Sequence, residues 1–310
     1  MKRRLLAVAL GFTLLWLAEI GLRLAGVESA YQPTVGAGWR MNPNLDDHVM
    51  TGQEGHEFRV NTNADGLRTG AARAPSDRRR IVVMGDSTVF GWGVEDEETV
   101  PGAMQDALPG WEVVNAGQPG YTTWQIGALW DEVIRHYAPD VVLVFIPNHD
   151  FNQALVSDRQ RIEGGARMAL MQHSRIYALL RTLVFRHAGR EYLMPHESGA
   201  EPRVPRVPAA DRAQVFEAIA AETRLAVGLL PFHNDLAGQP SVLGVEDELQ
   251  DYVALGAWTV NLRACCVGTP EDADARTFAF DRGHLNGLGN AEVGQAAARR
   301  LLELDDDGPG

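Results

Sequence analysis

Ile81-Val82-Val83-Met84-Gly85-Asp86-Ser87 is the stretch that decides the fold. Four apolar residues in a row, entered from Arg78 to Arg80 and left through a glycine, read as a short strand buried on both faces. The pattern recurs on the C-terminal side. Glu112-Val113-Val114-Asn115 is a second strand, Asp140 to Ile146 a third, and Leu225 to Leu230 and Trp258 to Leu262 the fourth and fifth. Helical patterns alternate with them: Thr99 to Leu108, then Thr123 to Tyr137 with Ile126, Leu129, Trp130, Val133 and Ile134 on one side, and finally Leu288 to Leu304. Strands alternating with helices imply an α/β domain with a parallel, doubly covered sheet.

Open parallel sheets bind ligands at the carboxyl ends of their strands. Gly85-Asp86-Ser87 follows strand one, and Ala116-Gly117-Gln118-Pro119-Gly120 follows strand two. Pro147-Asn148-His149-Asp150 follows strand three, and Asp281-Arg282-Gly283-His284 precedes the last helix. All four sets can converge on one edge. A serine hydroxyl needs a base to become a nucleophile, and His284 can be that base for Ser87. Asp281, three residues earlier, can bond the far ring nitrogen and fix the tautomer. Backbone N–H groups of Ser87 and Gly117, with a side-chain donor after strand three, can receive an oxyanion. Asp86 is expected to order the turn around Ser87.

These four blocks, in this order and each at a strand end, resemble the SGNH (GDSL-like) hydrolases over roughly residues 79 to 304. The resemblance implies a flavodoxin-like three-layer α/β/α fold and a Ser87–His284–Asp281 triad that hydrolyses esters, often acyl groups on carbohydrates or lipids. Some relatives transfer acyl groups instead. A non-catalytic glycan-binding or assembly protein on a degenerate scaffold is a further alternative. One block departs from the family's Gly-x-Asn-Asp: aligned on Asp150, Pro147 stands for the Gly and His149 for the oxyanion-hole Asn. A one-residue shift lets Asn148 serve, and Asn148 is the expected donor.

Other classes fit worse. A net charge of −13, with no basic run beyond the first residues, excludes a nucleic-acid footprint. No phosphate loop or dinucleotide-binding glycine motif is present, and the nine histidines show no metal-ligand spacing, so no cofactor and no metal are expected. Val89 stands where the nucleophile elbow of the other α/β hydrolase fold needs Gly. Adjacent Cys265 and Cys266 offer no disulfide framework.

The remaining segments set the organisation. Lys2, Arg3 and Arg4 precede an apolar run, and Leu5 to Val27 is about long enough to span a bilayer. A signal-anchor or transmembrane helix over 1–27 is expected, with the basic flank inside and the catalytic domain periplasmic or extracellular. A cleaved secretory signal and a buried helix are the alternatives. This anchor, the Gly66-Leu67-Arg68 turn and the Pro-rich insertion between strands three and four also resemble membrane-anchored bacterial members of the family. Residues 28–78 read as an extended connector packed on the main domain, with Arg68 expected to pair with a carboxylate there. Residues 79–304 form the hydrolase domain, interrupted at about 151–210 by an insertion holding a helix near Ala169 to Phe185 and a Pro-rich stretch, Pro195 to Pro208. Residues 305–310 read as a solvated acidic tail. The expected partners are a small-molecule or glycan ester and a membrane.

Overall fold

A computed structural model describes residues 2–24, 30–34, 36–68, 73, 77–154, 156–162, 176, 204–239 and 246–306. Helix α1 (Lys2–Leu24) leads to two hairpins, β1 (Tyr31–Thr34) with β2 (Gly38–Met41) and β3 (His48–Thr51) with β4 (Glu57–Val60). Then come β5 (Arg79–Met84), α2 (Ser87–Phe90), α3 (Val100–Ala107), β6 (Trp111–Asn115), α4 (Thr123–Glu132) and β7 (Val141–Phe145). A short pair follows, β8 (Gln153–Ala154) with β9 (Val204–Pro205), and α5 (Asp158–Ile162) lies between them. The chain continues through α6 (Ala209–Ala220), β10 (Arg224–Leu229), α7 (His233–Leu236), α8 (Glu246–Val253) and β11 (Trp258–Asn261). It ends with α9 (Pro270–Arg276), the hairpin β12 (Thr277–Phe278) and β13 (Asp281–Leu285), and α10 (Gly287–Asp306).

The five expected strands form one parallel sheet in the order β11-β10-β7-β5-β6. Numbered by their own succession this is 2-1-3-4-5, the flavodoxin-like order. The apolar run in β5 is split by the pleat. Val82 and Met84 join one core with Ile126, Leu129 and Trp130 of α4 and Val215, Phe216 and Ile219 of α6. Ile81 and Val83 join the other with Val100 and Met104 of α3 and Val293, Ala297 and Leu301 of α10. Burial on both faces is the reason these strands carry no polar alternation. The order reverses beside β5, and the crevice at its carboxyl end is where such sheets place ligands.

Several expectations need correction. The helix expected from Thr123 to Tyr137 stops at Glu132: Val133 leaves the helical region, and a 3-10 turn, Ile134–Tyr137, replaces the last turn. Pro139 ends that 3-10 turn, because the residue before a proline avoids the α region, and Ala138 takes φ 47° instead. The connector is not extended. Its hairpins build a third core from Met41, Met50, Phe58 and Val60, closed by Phe90 of α2. The acidic tail is not wholly solvated, since α10 runs to Asp306 and the Asp305 carboxylate takes the Arg79 guanidinium at the start of β5. Cys265 and Cys266 are half-buried free thiols just past β11. The helix expected near Ala169 to Phe185 lies outside the described residues apart from Ile176, as does the Pro-rich stretch before Val204.

Among the described residues, no helix is long and apolar enough to cross a membrane. The transmembrane helix expected over 1–27 is therefore not found as a span. The helix includes Glu19, whose carboxylate accepts the Ile176 N–H at 2.9 Å.

Arg68 ties the connector to the sheet's carboxyl edge. Its side chain is fully buried and pairs with Asp96 at 2.6 Å, as expected. Its other donors reach the carbonyls of Phe90 at 2.9 Å, Gly91 at 2.6 Å and Arg59 at 2.9 Å, and that of Val94. Phe90 and Gly91 end α2, whose last carbonyls lack intrahelical partners, so the guanidinium caps that helix. The Gly66 turn before Arg68 has φ +73°, and a Cβ there would lie 2.2 Å from the Met41 carbonyl oxygen. Arg68→Ala strands several buried carbonyls and should lower stability by about 3–5 kcal/mol in urea denaturation. Arg68→Lys should recover only a small part, because a point charge cannot serve the fork. A loss below about 1 kcal/mol for Arg68→Ala would show that the clamp is dispensable.

Candidate active site

Ser87 opens α2 directly after β5. Asp86 is the N-cap: its Oδ1 accepts the Thr88 N–H at 2.9 Å and the Thr88 hydroxyl at 2.7 Å. The capping duty thus falls to Asp86, and the Ser87 hydroxyl is left for another partner. That partner is His284: Ser87 Oγ lies 2.7 Å from His284 Nε2. On the far side of the ring, His284 Nδ1 lies 2.7 Å from Asp281 Oδ2. Three residues from two ends of the chain form one hydrogen-bonded line. A carboxylate on Nδ1 puts the neutral ring's proton there and leaves Nε2 as an acceptor for the serine proton.

Asp281 and His284 lie on β13, immediately before α10. Asp281 Oδ1 accepts the Gly283 N–H at 2.9 Å, which fixes the carboxylate within its own turn. All three side chains are largely shielded from solvent, with His284 20% and Asp281 11% exposed, so their hydrogen bonds are only partly in competition with water.

Gly117 sits against the serine turn. A Cβ there would fall 2.2 Å from the Phe90 backbone nitrogen, so only glycine fits. Its N–H is donated to Asn115 Oδ1 at 3.0 Å, while Asn115 Nδ2 reaches the Phe90 carbonyl at 3.3 Å. Asn115 therefore pins the β6 turn to α2, and the Gly117 N–H expected for an oxyanion is already engaged. Ser87, as the first residue of a helix, carries a backbone N–H with no intrahelical acceptor.

The block after β7 forms a 3-10 turn, Asn148–Phe151. Asp150 is fully buried and holds α4, accepting the Thr123 N–H at 2.8 Å and the Thr123 hydroxyl at 2.6 Å. Burial pushes its carboxyl up to about 7, opposed by the Thr123 bonds and by Arg212 and Arg206. His149 is half-buried and within electrostatic reach of Asp86 and His284. Burial depresses its imidazolium; the Asp86 carboxylate opposes this, and Arg206 and His284 add to it. The ring is thereby held neutral at neutral pH. Asn152 Nδ2 lies 3.4 Å from His149 Nδ1, an arrangement that leaves the proton on Nε2 when the amide donates. Asn148 is half-buried one residue earlier.

Sequence reasoning missed the connector's share of the site. Gln53, in the 3-10 turn at the tip of the β3–β4 hairpin, donates from Nε2 to Asp281 Oδ2 at 3.0 Å. No pattern in residues 28–78 signals this, since a lone Gln in a turn looks like any solvated one. Among the described residues, no group of three or more His, Cys, Asp or Glu could hold a metal ion.

No protein-family model matches the chain, and no curated protein matches it. Solved structures do. A lipase/acylhydrolase from Enterococcus faecalis shares 16% identity, covers 73% of this chain and 96% of its own, and has a TM-score of 0.43. An acetylxylan esterase from Geobacillus stearothermophilus shares 15% identity over 74% of this chain and 96% of its own, with a TM-score of 0.41. A lipolytic-type protein of the G-D-S-L family from Desulfitobacterium hafniense shares 15% identity over 72% of this chain and 100% of its own, with a TM-score of 0.43. The fold of this chain rests on its own strand order.

Proposed function

We propose that this protein is a serine ester hydrolase acting on acyl groups of an envelope or extracellular glycan. The observation that carries the reading is the continuous hydrogen-bonded line from Ser87 through His284 to Asp281. A degenerate binding scaffold has no need to keep three such groups aligned at the sheet's switch point.

In the reaction, Ser87 Oγ attacks the ester carbonyl while His284 Nε2 takes its proton, and Asp281 stabilises the imidazolium. The carbonyl oxygen becomes an oxyanion, which the Ser87 N–H and a donor from the turn after β7 receive. Collapse expels the alcohol, which takes the proton from His284 and leaves an acyl-serine. Water then attacks the acyl-serine with His284 again as base, releasing the acid and the free serine.

For the second donor we propose His149 rather than the expected Asn148. Burial depresses its imidazolium, so the ring is neutral at neutral pH, and donation from the Asn152 amide to Nδ1 would leave the proton on Nε2 to face an oxyanion. Gly117 contributes the close approach that holds the serine turn rather than a free N–H.

We also propose that α1 holds the domain at a membrane, on the outer side. Leu10, Phe12 and Trp16 are 59%, 70% and 65% exposed, on a helix that starts with three basic residues. Apolar side chains exposed on such a helix favour a membrane surface over water.

Three outcomes test this. Ser87→Ala should keep the fold by circular dichroism and lose activity on p-nitrophenyl acetate by a factor on the order of 10⁴; activity within a few-fold of the parent would place the nucleophile elsewhere. His149→Ala should lower kcat by roughly 10²–10³ with little change in KM, and Asn148→Ala by much less. The reverse ranking would return the donor role to Asn148. Deleting residues 1–27 should move the protein from the membrane pellet to the soluble fraction with activity retained. A full-length protein already soluble would refute the attachment.

A further inference from the structure

The geometry points to Gln53 as a positioning residue for the triad carboxylate: the N-terminal hairpin reaches across the molecule and completes the catalytic unit. The inference rests on the esterase reading above. Asp281 Oδ2 receives His284 Nδ1 at 2.7 Å and Gln53 Nε2 at 3.0 Å. Its other oxygen receives the Gly283 N–H at 2.9 Å. Gly283 belongs to the same turn and can only hold the carboxylate relative to its own strand. Gln53 lies 228 positions away and holds it relative to the rest of the protein.

The hairpin is built to present that amide. Its tip is tied by two backbone bonds, Gly52 N–H to His56 O at 2.7 Å and His56 N–H to Gln53 O at 3.0 Å. His56 then fixes the tip on the catalytic hairpin. Its ring lies 5.1 Å from that of Phe278 and 5.4 Å from that of Phe280, the residue just before Asp281, and its Nε2 donates to Gly93 O at 2.7 Å. Phe58, on the next strand, packs in the core that also holds Phe90 of α2. One hairpin therefore braces both the strand that carries Asp281 and His284 and the helix that starts at Ser87. Such bracing is what keeps reacting groups within the fraction of an ångström that catalysis demands.

Gln53 also shares the charge of Asp281. Each donor to the carboxylate weakens its pull on the His284 Nδ1 proton. Removing the amide leaves a more basic carboxylate that favours imidazolium, so the acid limb of the pH–rate profile should move to higher pH. A second carboxylate at the same place should move it further. The charged and titratable groups around the pair are Glu54 on the hairpin, Arg282, which Asp274 holds at 3.3 Å, the partners His56 and His284, and, on the serine side, His149 and Asp86, which act on one another and, for His149, on His284. None of them is altered by the substitutions below.

Full-length Gln53→Leu and Gln53→Glu are compared with the parent on p-nitrophenyl acetate across the pH range, alongside thermal melts. The expected result is a kcat about tenfold lower in Gln53→Leu with KM within twofold. The acid limb shifts upward in Gln53→Leu and further in Gln53→Glu. Superimposable profiles, or losses that follow the melting temperature or KM alone, would overturn the inference. A readout independent of turnover is the proton resonance of the His284 Nδ1–H, assigned by its loss in His284→Gln. It should move downfield in Gln53→Leu, as the carboxylate becomes the stronger acceptor. An unmoved resonance overturns the positioning role. A moved resonance in a protein that hydrolyses no ester sustains it and refutes the esterase reading instead.

Discussion

A hydroxyl and an imidazole separated by 197 positions must meet at 2.7 Å, and most of this architecture serves that meeting. The sheet delivers Ser87 at the carboxyl end of its first strand, where the strand order reverses. The β12–β13 hairpin delivers His284 from the other end of the chain. Neither delivery is precise by itself, because α2 is a single turn and the hairpin is two short strands. Each needs a brace. Arg68 caps α2 from below, Asn115 pins the neighbouring turn to it, and Gly117 allows the two backbones to touch.

The connector is the element whose role changes most once the chain is folded. It supplies Arg68 to the serine helix, Phe58 and Met41 to the core that Phe90 closes, and Gln53 to the Asp281 carboxylate. Gln118, fully buried after β6, joins the same system by accepting the Met41 N–H at 2.9 Å and donating to the Gly66 carbonyl at 3.1 Å. Buried polar groups paired in this way fix one arrangement, because any slip leaves a donor or acceptor unmatched. The described residues from 30 to 68 pack into the same domain as the sheet.

The sheet and the meeting of Ser87, His284 and Asp281 were legible in the sequence for definite reasons. Ile81 to Met84 and Val141 to Phe145 are continuous apolar runs, and only a doubly covered strand has that need. Asp281 and His284 were legible because a three-residue spacing before a helix sits beside a serine at a strand end. The connector hairpins were not. Each strand has four residues, and Glu57-Phe58-Arg59-Val60 alternates too briefly to separate a strand from a turn. The break at Val133 was hidden by an apolar stripe that continues with helical spacing through Val133 and Ile134. The engagement of the Gly117 N–H by Asn115 depends on a side-chain rotamer, which no residue pattern encodes.

The central claim is that Ser87 is an activated nucleophile, and covalent labelling tests it without knowledge of the substrate. The full-length protein is treated with a fluorophosphonate, and intact-mass and peptide-mapping mass spectrometry follow. Only a serine whose proton a neighbouring base can take displaces the fluoride. The account predicts one phosphonyl group per chain, on the peptide containing Ser87. An unlabelled protein, or a label on another serine with Ser87 unmodified, would contradict it.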